Sequence, residues 1–174
     1  MAPIDQTGAV LGPKMQITSR QDIEAPVSFV YDTLKDFDYW ERAAMRRGAE
    51  VTRTDGLQAT APGLAWAIRF PFRGKDRKLT LQLVALEAPG RMAFSGSGGS
   101  FDGTAAVDLM ELGAKRTRLS LMAEAKPRGL AARLVLQSLK LARGRTQGRL
   151  DKRVAAIAMD IEERFRASMR QMGR

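Results

Sequence analysis

Hydrophobic and polar residues alternate in a series of short runs through the middle of the chain, which is the pattern of half-buried strands. One run, residues 64–72, places four large apolar residues on the same face: Trp66, Ile68, Phe70 and Phe72. Similar runs surround it, at residues 15–23, 49–54, 78–87, 91–97, 103–112 and 117–125. Glycine-rich and charged breaks separate the runs at hairpin spacing, so we predict an antiparallel sheet of six to seven strands with one apolar face.

Two short helices are predicted directly after the first strand. Pro26 suits the first position of a helix, and the apolar residues that follow recur at helical spacing, namely Val27, Val30, Tyr31 and Leu34. Asp38 and Glu41 stand three residues apart, as in a capping box, and predict the start of a second helix that ends at Arg47.

A long C-terminal helix is predicted beyond Pro127. Residues 129–169 contain no proline and carry an apolar stripe at three- and four-residue steps: Leu150, Val154, Ile157, Ile161 and Phe165. Gly144 and Gly148 lie inside this helix, where each costs about 0.5–1 kcal/mol relative to alanine. They indicate either a thin spot that leaves room for a ligand, or a close helix–strand contact or local break.

The order of elements and the motif "DIEAPVSFVYDTLKDFDYWERA" together resemble the START-like superfamily, also called the SRPBCC or polyketide cyclase/dehydrase-like group, with a Bet v 1-like helix-grip fold. The matching motif positions are Ile23, Ala25, Pro26, Val30, Tyr31 and Leu34. The resemblance implies an α+β fold in which a curved antiparallel sheet wraps around the long C-terminal helix and leaves an apolar cavity. We expect an N-terminal arm over residues 1–13 and one START-like domain over residues 14–170.

The composition excludes several kinds of chemistry. The 174 residues include no histidine and no cysteine, so Ser-His and Cys-His nucleophiles, thiolate ligands and disulfides are ruled out. No cofactor is predicted, and no metal site, because Asp36, Asp38 and Glu41 offer too few oxygen ligands. The stretch "SGSGGSFDG", residues 95–103, lacks the frame of a phosphate-binding loop and is interpreted as a flexible hairpin loop.

The predicted function is binding of a hydrophobic or amphipathic small molecule, lipid- or polyketide-like, between the sheet and the C-terminal helix. The expected cavity lining is Tyr31, Trp66, Ile68, Phe70, Leu81, Phe94 and Leu121. Each of these residues is also explained as ordinary core. The resemblance leaves open a polyketide cyclase/dehydratase-type enzyme that positions a tyrosine or arginine proton donor in place of histidine, although ligand binding without catalysis is favoured.

A third hypothesis rests on charge. The chain has a net charge of +10, and nine cations fall within residues 126–153, where Asp151 is the one acid. An accessory protein could dock on an anionic membrane or an acidic protein partner through these basic residues: Lys140, Arg143, Arg145, Arg149, Lys152 and Arg153. The alternative is the solvated face of a helix. Nucleic acid is not predicted because no aromatic residues interleave with the cations.

A soluble, cytoplasmic protein is expected, and the lack of cysteine suits that compartment. The N-terminal residues lack the basic and apolar segments of a signal peptide, and no apolar run approaches the length of a membrane span.

Overall fold

The computed structural model describes residues 13–173 and has the α+β helix-grip fold that was predicted. Seven strands and four helices follow in the order β1 (Met15–Ile23), α1 (Val27–Lys35), α2 (Phe37–Arg46), β2 (Glu50–Arg53), β3 (Ala65–Phe72), β4 (Lys75–Glu87), β5 (Arg91–Gly98), β6 (Phe101–Gly113), β7 (Arg116–Pro127), α3 (Leu130–Leu141) and α4 (Arg143–Met172). Of the expected N-terminal arm, residues 1–12 lie outside the described residues. The domain limits of 14 and 170 stay a prediction.

All seven strands form one antiparallel sheet in the order β1-β7-β6-β5-β4-β3-β2. Residues that pair directly across strands share a face, so the register fixes which side chains lie together. Phe94 pairs with Leu83 on β4 and with Ala105 on β6, and Leu81 pairs with Trp66 on β3. The predicted alternation is confirmed: the large apolar side chains share the face that packs on the helices, which we call the apolar face.

Helix α4 runs alongside β1, the edge strand of the sheet. Gln147 Nε2 donates a hydrogen bond to the Thr18 carbonyl oxygen at 2.6 Å, and Arg143 Nη2 donates to that of Gln16 at 3.3 Å. Further along, the Glu24 backbone N–H donates to Glu162 Oε1 at 3.0 Å. Residues 143 to 162 span about 28 Å of helix and residues 16 to 24 about 27 Å of strand, so the two elements run in parallel over the same length.

An apolar stripe joins the same helix to the sheet. Val154, Ala158 and Ile161 are buried against Ile23 and Leu119. The other predicted stripe residues, Leu150, Ile157 and Phe165, pack around this cluster. The stripe predicted from the sequence is therefore confirmed.

The C-terminal helix is not continuous as predicted. It divides at Ala142 into α3, of 12 residues, and α4, of 30 residues. The Ala142 N–H still donates to the Ser138 carbonyl oxygen at 3.1 Å, and Ala142 itself departs from helical dihedral angles, with φ −93° and ψ 20°. The poor helix propensity of Gly144, two residues on, lowers the cost of this break.

Two local predictions are also wrong. Helix α2 is capped by Asp36, whose side chain accepts a hydrogen bond from the Tyr39 N–H at 3.2 Å, so Asp38 lies inside the helix. The segment 95–103 is mostly strand, because β5 continues to Gly98 and β6 begins at Phe101, with a two-residue turn between them. The local sequence does not decide either case. Asp36 and Asp38 are equally good capping residues, and glycine suits both tight turns and close packing of strands.

The glycines of β5 and those of α4 differ in what surrounds them. A Cβ on Gly96 would lie 2.6 Å from the Thr80 carbonyl oxygen of β4, and one on Gly98 would lie 2.6 Å from that of Lys78. Glycine at these positions lets adjacent strands approach closely. A Cβ on Gly144 or Gly148 would meet nothing within 4 Å, so neither glycine marks a close helix–strand contact.

These surroundings predict opposite effects of alanine substitution. Gly148→Ala should raise the free energy of unfolding by about 0.5–1 kcal/mol, because alanine favours a helix interior and meets no neighbour. Gly144→Ala should raise it by less, because Gly144 lies in the first turn of α4. Gly96→Ala should lower it by about 1–3 kcal/mol through overpacking against a backbone oxygen. Urea unfolding followed by circular dichroism measures all three, and destabilisation by both helical variants would contradict the open surroundings of these glycines.

Candidate functional site

Burial along the apolar face changes from one end of the sheet to the other. At the closed end, where β1 leads into α1, Leu83 is 0% exposed, Leu119 3% and Trp66 4%. At the hairpin end, the β3–β4 and β5–β6 turns and the β7–α3 junction come together, and the apolar side chains of the central strands are only half buried. We call these residues the half-buried patch: Ile68, Phe70, Leu79, Leu81, Phe94 and Ala105.

An aromatic cluster on the apolar face lies where the closed end meets the patch. The Phe37 ring of α2 lies 5.3 Å from the Trp66 ring and 6.2 Å from the Phe94 ring, both edge-on. Phe37 was not among the predicted lining residues. Its signal in the sequence was an aromatic residue directly after a capping aspartate, where it occupies the first turn of α2 and points toward the sheet.

The structure gathers four of the seven predicted lining residues. Trp66, Ile68, Leu81 and Phe94 belong to one cluster with Phe37. Leu121 lies on the same face but packs in the separate cluster around α4. Phe70 lies beyond both clusters, toward the hairpin end.

Tyr31 takes a different position from the other predicted residues. It is buried on α1, and burial, followed by the nearby charges of Asp32 and Glu87, raises the pKa of its hydroxyl. Glu87 is the last residue of β4, so Tyr31 lies at the closed end and away from the half-buried patch.

Trp66 carries a polar cap at the closed end. Its indole Nε1–H donates to Glu41 Oε1 at 2.6 Å, and the Arg53 guanidinium lies 5.6 Å from the centre of its ring. Glu41, predicted to belong to a capping box, thus reaches across to the sheet. These contacts fix the ring orientation of a nearly fully buried tryptophan.

Asp55 holds this corner together. Its carboxylate accepts hydrogen bonds from Arg53 Nε and Nη2, both at 2.7 Å, and from the backbone N–H groups of Leu57 at 2.9 Å and Ala65 at 2.8 Å. The Arg53 bond, followed by that of Ala65, holds the pKa of this carboxyl far below its ordinary value. These hydrogen bonds fix the connection between β2 and β3. They therefore also fix the start of β3, where Trp66 lies.

Acid–base groups elsewhere form pairs between elements. Ser19 Oγ donates to Asp151 Oδ1 at 2.6 Å between β1 and α4. The Tyr39 hydroxyl donates to the Asp160 carboxylate at 3.1 Å between α2 and α4, and the Arg164 guanidinium lies 3.4 Å from the centre of the Tyr39 ring. Within residues 13–173, no group of three acidic side chains could hold a metal ion.

The predicted basic surface is exposed but divided between two helices. Lys140 lies on α3; Arg145, Arg149 and Lys152 lie on the side of α4 away from its buried stripe, and Arg153 is exposed nearer that stripe. Arg143 reaches the edge of β1 instead. None of these six residues forms an ion pair with another residue in the described part of the chain.

Two grooves lie on the other face of the sheet, where side chains are small and polar. One, of about 570 Å³, is lined by Thr80, Gln82, Ser95, Ser97 and Thr104 among others. The second, of about 520 Å³, adjoins it and includes Arg69 and Lys78. Neither was predicted, because their lining residues have the composition of an ordinary solvated sheet face.

Comparison with known families agrees with this architecture. The family model described as "Polyketide cyclase / dehydrase and lipid transport" matches residues 14–162, and the chain belongs to that family. No curated protein sequence matches the chain.

Solved structures share the fold at low sequence identity. The Zhui aromatase/cyclase from Streptomyces sp. R1128 superposes with a TM-score of 0.64 at 15% identity, covering 90% of this chain and 98% of that one. Norcoclaurine synthase from Thalictrum flavum, in complex with dopamine and hydroxybenzaldehyde, gives 0.63 at 11% identity, covering 94% and 95%. A START superfamily protein from Mycobacterium smegmatis gives 0.53 at 10%, covering 79% and 97%.

No helix between residues 13 and 173 combines the length and the apolar character needed to cross a bilayer.

The Asp55 network predicts a pH-dependent contribution to stability. Because folding lowers the pKa of Asp55, its contribution is fully present above the unfolded value near 4 and is lost as the pH falls through the folded value. Asp55→Asn should therefore lower the thermal midpoint at neutral pH, and its difference from the wild type should shrink below about pH 4. Differential scanning calorimetry across pH measures this.

Asp76→Asn is the matched control, since Asp76 is exposed and forms no ion pair with any residue the structure describes. It should melt like the wild type throughout. A deficit of Asp55→Asn that stayed constant down to low pH would contradict the role given to the ionised carboxylate.

Proposed function

We propose that this chain binds a hydrophobic or amphipathic small molecule, lipid- or polyketide-like, against the half-buried patch between the sheet and α4. The observation that carries the proposal is the change in burial along one continuous apolar face, from Leu83 at the closed end to Phe70 at the hairpin end. A protein core normally buries such side chains fully. A contiguous set left half exposed at the open edge of a packed cluster is a site that an apolar molecule would complete.

The separation of the core into two clusters supports this proposal. One cluster joins α4 to β1 and β7, and the other gathers around Trp66 and Phe37. The small residues Ala105 and Ala123, which pair between β6 and β7, lie on the face between them. A ligand there would contact apolar surface from both clusters. The family description, which includes lipid transport, agrees with this class of ligand.

Binding is favoured over catalysis by the chemistry of the patch. A cyclase or dehydratase needs a proton donor or acceptor that faces its substrate. The side chains of the half-buried patch are hydrocarbon, whereas the pairs Ser19–Asp151 and Tyr39–Asp160 lie where α4 packs on β1 and α2. Those polar groups already satisfy one another. A ligand in the patch would thus be selected mainly by shape and apolar area.

Filling the patch should weaken binding. Ala105→Phe places an aromatic ring on the apolar face of β6, and it should weaken binding of the neutral fluorescent probe N-phenyl-1-naphthylamine at least tenfold, about 1.4 kcal/mol or more. Fluorescence titration measures the affinity. A neutral probe is chosen because the basic surface gives it no electrostatic attraction.

Thr104→Phe is the control variant. Thr104 is the preceding residue on the same strand, is exposed and points to the opposite face. It should bind the probe like the wild type. Equal loss in both variants, or wild-type protein that shows no saturable binding, would refute the proposed site. Circular dichroism melts establish that both variants are folded.

A further inference from the structure

Helix α3 exposes an apolar stripe to solvent. Leu130 is 74% exposed, Leu134 58% and Leu141 92%, while Ala132 and Leu136 on the other side of the helix are buried. At 100° per residue, the three exposed leucines fall within about 40° of one another. We call them the leucine stripe. Val135, which is 50% exposed, lies about 120° around the helix from the centre of the stripe. The helix therefore has two apolar sides, of which the protein itself covers one.

Two cations on α3 flank one side of the leucine stripe and have no acidic partner among the described residues. Residues 125–150 contain seven lysines and arginines and no aspartate or glutamate. Arg133 and Lys140 lie on α3 about 80–100° around the helix from the centre of the stripe. Neither forms an ion pair with another residue in the described range 13–173. Exposed leucines beside unpaired cations are complementary to a surface that is both apolar and negatively charged.

We propose that α3 is a membrane-contacting helix that inserts the leucine stripe into the interface of an anionic bilayer while its lysines and arginines contact the lipid phosphates. Such helices combine an apolar side with a polar side rich in lysine and arginine, whose long side chains extend to the headgroups. Residues 125–164 contain no aromatic residue. Protein interfaces are enriched in aromatic anchors, which this segment lacks, so a bilayer is favoured over an acidic protein partner.

The position of α3 connects this surface to the hairpin end of the sheet. The Arg128 N–H, just before the helix, donates to the Ser100 carbonyl oxygen at 2.6 Å, and its Nη2 donates to that of Gly99 at 2.7 Å. These bonds tie the start of α3 to the β5–β6 turn. Docking would bring the hairpin end near the bilayer, where an apolar ligand could enter the half-buried patch; this last step rests on the proposed function, whereas the docking itself does not.

Vesicle co-sedimentation tests the proposal. The full chain should bind phosphatidylcholine vesicles that contain phosphatidylglycerol, at least tenfold more tightly than vesicles of phosphatidylcholine alone, and high salt should weaken this binding. Leu130→Ser/Leu134→Ser/Leu141→Ser should reduce the partition coefficient at least tenfold. Arg133→Gln/Lys140→Gln should reduce it by about fivefold per charge at low salt.

Each variant has a matched control elsewhere on the surface. Met110→Ser/Leu112→Ser removes exposed apolar side chains from the β6–β7 hairpin, at the other end of the sheet. Arg166→Gln/Arg170→Gln removes two exposed cations from the far end of α4 and leaves the same net charge as the α3 pair. Both controls should bind vesicles like the wild type. Ala105→Phe should also bind vesicles like the wild type, because it changes the proposed ligand site and leaves α3 unchanged.

Three outcomes would overturn the proposal. Wild-type protein could stay in the supernatant with anionic vesicles at low salt. The leucine variant could bind as well as the wild type, which would leave a purely electrostatic attraction. A concentration-dependent dimer in sedimentation velocity that the leucine variant abolishes would assign the stripe to a second copy of this chain.

Discussion

The pairing of α4 with the edge of β1 is the contact on which the rest of the structure depends. Burial of Val154 and Ile161 contributes about 1.5–3 kcal/mol each, against about 0.5–1.5 kcal/mol for each hydrogen bond to the strand. The apolar stripe therefore holds the helix on the sheet. The hydrogen bonds from Gln147 and Arg143 fix the position of α4 along β1. They also satisfy carbonyl groups that an edge strand would otherwise leave to water or to another chain.

Placing the helix along one side of the sheet determines where a ligand could bind. α4 covers β1 and β7, and α2 covers the closed end through Phe37, so the central strands near the hairpin end receive the least cover. The half-buried patch is thus a consequence of helix placement and needs no unusual residues. Gly96 and Gly98 contribute by removing side chains from the same face of β5, which leaves the larger side chains of β3 and β4 to border the space.

The sequence predicts which face of its strand each side chain occupies. It does not predict how deeply each of these side chains is buried. Trp66, Phe70 and Leu121 all lie on the apolar face because side chains alternate strictly along a strand and pairing preserves the face. Which of them is enclosed depends on helices distant in sequence: Phe37 buries Trp66, and Leu121 joins the α4 cluster. The sequence kept a local break near Gly144 only as an alternative to one continuous helix, and it did not place the break at Ala142, because alanine is the best helix former.

Charge is distributed unevenly over the molecule, so the leucine stripe of α3 and the half-buried patch would bind their partners through different interactions. On the sheet, arginines pair with carboxylates of neighbouring strands, as in Arg91–Asp108 and Arg118–Asp22 at 2.6 and 2.7 Å. The excess positive charge is concentrated around α3 and the start of α4, where acids are lacking from residue 125 to 150. Attraction at that surface is screened over about 10 Å at 0.1 M salt, whereas contact with the hydrocarbon of the half-buried patch is not. Salt dependence therefore distinguishes an event on α3 from one on the apolar face.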